Sequence, residues 1–148
     1  VGERIVKRCW KEEAQLVEAE NDDGLAKVQA PDGRVVDLAP VGQQVLLDNE
    51  HARVWEVVLE PGESQPWHRH EHPYLVLAIE PGDNRIEGLD GSVREVHEPV
   101  GGVVFREPGE VHKLTNAGST RYRSRLVELK KASPDRLAVA PTLAGEGR

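Results

Sequence analysis

Cysteine is nearly absent from this chain of 148 residues. Cys9 is the only one, so no disulfide can form within the chain, and a reducing cytoplasm is the expected setting. A lone cysteine of this kind is read as a bystander rather than a nucleophile. Long apolar runs are missing as well. None approaches the roughly 20 residues that a membrane-spanning helix needs, and no secretory signal pattern is visible. Basic charge is outweighed: 19 Lys and Arg against 26 Asp and Glu give a formal net charge of -7. That argues against a nucleic-acid or membrane-surface partner, because both attract basic patches. No helix-turn-helix pattern occurs, which removes a DNA-binding regulator from the expectations. Helical periodicity is also scarce. Only residues 9–20, CWKEEAQLVEAE, place Trp10, Ala14 and Val17 on one helical face, and the same segment reads equally well as a strand.

What the chain does have is turn chemistry. With 38% hydrophobic and 30% charged residues it reads as one soluble domain with a core. Its 10 prolines and 14 glycines punctuate short apolar runs. VQAPDGRVVDL reads as two strands around a Pro-Asp-Gly turn. QQVLLD, ARVWEVVLE, YLVLAIE, NRIEGL, SVREVHE, GGVVFRE, VHKLTN and RYRSRLVELKK are strand-like. Turns recur about every 8 to 12 residues, the rhythm of an antiparallel sandwich or barrel. Glu-Pro-Gly occurs at Glu60-Pro61-Gly62, Glu80-Pro81-Gly82 and Glu107-Pro108-Gly109, and each suits a type II turn with Gly at the positive-φ position. Residues 1–42 read as an extension whose strands pack on a barrel, residues 43–130 as the barrel, and residues 131–148 as a loose tail.

The histidines concentrate the chemistry. In PWHRHEHPYLVL, His68, His70 and His72 stand at alternate positions. Residues i and i+2 of a strand share a face, so His68 and His70 project together, and neutral imidazole is the common protein ligand of first-row metals. A third ligand has to come from elsewhere. His112 is the candidate, since it opens a strand-like run after the third Glu-Pro-Gly. His51 and His97 lack such a setting. His72 has ligand parity, but Pro73 beside it belongs at an edge, bulge or strand start, so His72 is placed at the rim.

These residues resemble the two motifs of the cupins. The first motif runs Gly, five residues, His-x-His, and Gly62 with His68-Arg69-His70 follows it. The second ends Gly, two residues, His, three residues, Asn, and Gly102, Gly109, His112 and Asn116 match, with the proline shifted one place to Pro108. The resemblance covers about Gln43 to Lys130. It implies an all-β fold, a single antiparallel barrel of the double-stranded β-helix or jelly-roll type, paired as a homodimer. The glutamate ligand of the first motif is replaced by Tyr74, with Pro73 and Leu75 on either side. This is similar to the cupins that hold metal through three histidines alone, such as the thiol and diketone dioxygenases. The expected centre is one divalent transition metal on His68, His70 and His112, with Tyr74 as a neutral phenol beside it.

Three neutral ligands leave such an ion its charge and open positions. With Fe(II), the favoured ion, the expected reaction is dioxygen chemistry on a small chelating acid, diketone or thiol. With Zn, Mn or Ni it would be isomerase or lyase chemistry, and a cupin that only binds a small ligand is the further alternative. Arg69, Glu71, Arg106 and Glu110 flank the histidines. Arg121, Arg123 and Arg125 alternate along the last strand, either as a solvated basic face or as an inward anchor for a substrate carboxylate. Trp55 and Trp67 are expected in the core rather than around a pocket.

Overall fold

The computed structural model describes residues 26–131. The helix-or-strand segment at residues 9–20, Cys9 itself and the tail after Lys131 lie outside the described residues. The strands run β1 (Lys27–Gln29), β2 (Val35–Asp37), β3 (Gln44–Asp48), β4 (Ala52–Leu59), β5 (Ser64–Arg69), β6 (Tyr74–Glu80), β7 (Gly82–Gly88), β8 (Val93–Glu98), β9 (Val103–Arg106), β10 (Val111–Asn116) and β11 (Tyr122–Leu129). All are paired antiparallel.

Two sheets carry the architecture, one of order β5-β10-β7-β8 and one of order β3-β4-β11-β6-β9, with the β1-β2 hairpin beside them. From β4 to β11 every connection except the β7-β8 hairpin crosses between the two large sheets, which is the winding of a jelly roll. The inner faces meet over Val41, Val57, Leu59, Tyr122 and Leu126. A second cluster, Val28, Ala30, Leu38, Leu89 and Val111, packs the β1-β2 hairpin against the four-stranded sheet. Trp55 borders the first cluster and Trp67 the second, both partly buried at the margin of the core, and neither lines the histidine cavity.

Strand parity decides what enters the barrel. Along β11 burial alternates strictly: Tyr122, Ser124, Leu126 and Glu128 point inward. Arg123 and Arg125 therefore face out, where both donate to Glu56 Oε1, at 2.7 and 2.8 Å, and Arg121 pairs with Glu80 at 2.8 Å. The three arginines are the outer face of the sheet and anchor nothing inside it. The run from Tyr74 to Ile79 is less enclosed than its composition suggests. Only Tyr74 and Ala78 are buried, and Ile79 is 40% exposed, because β6 lies in a sheet with one face toward solvent.

The three Glu-Pro-Gly triplets are not equivalent. Gly62 (φ 82°) and Gly109 (φ 102°) take the positive φ expected of them, and Glu63 N donates to Glu60 O to close the first turn. Gly82 does not take it. It begins β7, and a Cβ there would come within 2.5 Å of the Tyr122 ring. The glycine serves a close approach between backbone and ring rather than a turn.

Candidate metal centre

β5 and β10 are hydrogen-bonded neighbours, and His68 is the register partner of His112. His70 follows the last residue of β5 and keeps the parity of His68. One ring nitrogen from each of His68, His70 and His112 lies within 4.8 Å of the others, and all three residues are buried. The His68 ring stands edge-on to the other two, with centroids 4.4 Å from His112 and 5.3 Å from His70.

The partners of the His68 and His70 rings fix which nitrogen is free. His68 Nδ1 donates to Pro66 O at 2.6 Å, which leaves Nε2 as the lone-pair nitrogen. His70 Nδ1 faces Glu128 Oε1 at 3.3 Å, and the other carboxylate oxygen accepts Trp55 Nε1–H at 2.9 Å. A carboxylate behind a ligand histidine orients the ring and raises its basicity. His112 Nδ1 is buried without a hydrogen bond, 3.6 Å from Glu110 Oε2. Burial drives the His68 pKa down to about 3, helped by the neighbouring His112, and burial lowers that of His70 as well. Three buried imidazoles, each offering one nitrogen close to the other two, fit a divalent cation, which satisfies all three at once.

Tyr74 stacks on His70, with centroids 3.6 Å apart and planes 11° apart. Burial, together with the Glu110 carboxylate, pushes its phenol up to about 12, so it stays a neutral donor beside the centre. His72 is half-buried and outside the three-histidine group. His51 and His97 lie on the surface against Glu50 and Asp83. Arg69 pairs with Glu71, and Arg94 holds Glu110 at 3.0 Å.

The histidines border a cavity between the sheets. His68, His70, His112, Tyr74, Arg94 and Arg106 line it together with Val57, Leu126, Tyr122 and Glu98. Glu128 is the residue that the sequence reading missed. Its signal was present: a carboxylate on the inward parity of Tyr122, Ser124 and Leu126.

The buried histidines make the stability of the metal-free protein depend on pH. An unfolded His titrates near 6.5, while folded His68 does so near 3. Between these values the unfolded chain binds the extra proton, so stability rises with pH through that window and is lost as pH falls. Urea midpoints of the metal-free protein are expected to drop steadily from pH 7 to pH 4. A flat profile would mean that the histidines are protonated in the folded state.

A scan against protein-family models matched none, and no curated protein matched the chain. Solved structures do match. A cupin domain from Bordetella pertussis Tohama I is 28% identical, over 60% of this chain and 91% of that one, with a TM-score of 0.56. A protein with a double-stranded β-helix domain from Klebsiella pneumoniae is 22% identical, over 62% of this chain and 82% of that one, with a TM-score of 0.50. The fold is the all-β double-stranded β-helix of the cupins. Within it, this chain carries a three-histidine cluster, His68, His70 and His112, placed to chelate one metal ion.

Proposed function

We propose that this protein is a non-haem Fe(II) dioxygenase of the three-histidine kind, acting on a small chelating acid, diketone or thiol. The donor set carries the reading: three buried imidazoles and no carboxylate in the group. Fe(II) held by three neutral nitrogens keeps its positive charge and open positions, and so supplies a place for an anionic chelator beside dioxygen. The chain's own residues supply the rest. Pro66 O and Glu128 hold the rings of His68 and His70 in one tautomer. The apolar wall of Val57, Val76 and Leu126 limits water. Tyr74 offers a phenolic proton to negative charge that develops on the substrate. In the expected homodimer, the exposed Val45, Leu46 and Leu47 of edge strand β3 offer an apolar surface for pairing.

Elemental analysis of the purified protein, run beside oxygen uptake on a panel of such substrates, tests the reading. Iron with substrate-dependent uptake is expected. Zinc with no oxygen consumed on any substrate sinks the oxygenase. Tyr74→Phe is expected to retain the metal and slow turnover by about ten- to a thousandfold. Unchanged kinetics would leave Tyr74 with packing alone, and loss of the metal would make it a ligand.

A further inference from the structure

Nine arginines lie among the described residues, and eight of them have a carboxylate partner. Arg34 pairs with Asp32, Arg53 with Asp48, Arg69 with Glu71, Arg85 with Glu95, Arg94 with Glu110 and Arg121 with Glu80. Arg123 and Arg125 share Glu56. Arg106 is the exception: among the described residues no carboxylate stands within ion-pair distance of its guanidinium. It is also the arginine best placed to meet a ligand.

Parity sends it inward. Along β9, Val103 and Phe105 are exposed, while Val104 and Arg106 are half-buried, and Arg106 lines the histidine cavity. Its register partner across the sheet is Tyr74, which stacks on His70. Directly paired strand residues hold their Cβ atoms about 5 Å apart. The carboxylates of this region are otherwise engaged, Glu110 by Arg94, Glu98 by Asn84, and Glu128 by His70 and Trp55. A half-buried, unpaired guanidinium loses hydration without gaining a partner, which is costly unless a ligand supplies the missing anion. Guanidinium and neutral phenol are both donors here, and a planar carboxylate accepts from several donors at once.

We propose that Arg106 is the anchor of a carboxylate group on the ligand of this cavity, with Tyr74 as its second donor, so that the ligand class is a small carboxylic acid bearing a second oxygen or sulfur donor for the metal. This assignment rests on the metal reading only for the ligand's other end. It narrows the acid, diketone and thiol alternatives to molecules that carry a carboxylate, and it makes Arg106 a specificity determinant.

Glycolate and glycolamide are suitable probes, because they match in size and hydroxyl donor and differ in charge. Calorimetric titration of the metal-loaded protein is expected to show glycolate binding and glycolamide binding at least about tenfold more weakly. Arg106→Gln should weaken glycolate by about ten- to a hundredfold, leave glycolamide within about twofold and leave the metal content unchanged. Arg106→Lys, which keeps the charge but loses the fork, should fall between. Glycolate that binds equally to wild type and Arg106→Gln overturns the assignment, as does a wild type that holds the amide as tightly as the acid, or that binds neither. Metal content is measured separately. A wild type without metal overturns the dioxygenase reading, and the metal-free chain then decides the anchor by itself: a preference for acid over amide that Arg106→Gln abolishes supports it, and no preference overturns it.

Discussion

His70→Ala is expected to cost the protein its metal, lowering affinity by more than about a hundredfold, since even partners behind a ligand contribute up to about that much. His70 is buried at 2% exposure, contributes one of three converging nitrogens and is aligned by Glu128. Two imidazoles alone leave an ion held by a pair from two neighbouring strands, with no third protein donor in the group. His112→Ala should behave in the same way. His51→Ala and His97→Ala should retain full occupancy, because both rings lie on the surface beside Glu50 and Asp83, outside the three-histidine group. Glu128→Gln keeps the shape and a hydrogen-bond acceptor but loses the charge, so its loss of affinity should be smaller. Inductively coupled plasma analysis after dialysis against a weak chelator reads all five variants, with circular dichroism to confirm the fold. Full occupancy in both His70→Ala and His112→Ala would place the centre elsewhere.

Asn116→Ala is expected to destabilise the fold by about 1 to 3 kcal/mol without touching the histidines. Asn116 is fully buried at the end of β10. Its Nδ2 donates to Leu59 O at 2.9 Å and to Thr120 O at 2.8 Å, and its Oδ1 accepts from Gly118 N at 3.0 Å. One side chain thus ties the end of β4 to the turn that enters β11. Truncation leaves the buried Leu59 carbonyl without this donor, at a cost of about 1 to 3 kcal/mol, while the Thr120 carbonyl and Gly118 amide lie where water can reach them. Urea denaturation of the metal-free protein would show it as a lower midpoint at similar slope. A loss below about 1 kcal/mol would mean that water replaces the amide.

The strand rhythm and the histidine pair were legible in the sequence because both follow from the two-residue period of a strand. His68 and His70 share a face in any extended chain, and Gly62 and Gly109 could be read from turn chemistry alone. Pro73 was a sound guide too, since β6 begins at the next residue. Three things were hidden for one reason: parity tells which residues share a face, but not which face is inside. The arginines of RYRSRLVELKK drew attention to one side of β11 while the working carboxylate, Glu128, lay on the other. Arg106 looked no different from Arg69, since only the absence of a partner sets it apart. The middle Glu-Pro-Gly looked like its siblings until the Tyr122 ring was placed against Gly82.

β5, which leads His68 and His70 into the site, is the edge of its sheet. β10 holds it on one side, and on the other the backbone of Ala39 meets it through a hydrogen bond to Trp67 O at 2.7 Å. Edge strands are among the first parts of a sheet to fray. An ion shared by β5 and β10 closes the edge like a clasp, stabilising only the closed form by mass action. Ion release and strand fraying then become one event. The residence time of the metal is set by how often the edge opens, and the exchange rates of the β5 amides become a gauge of how full the site is.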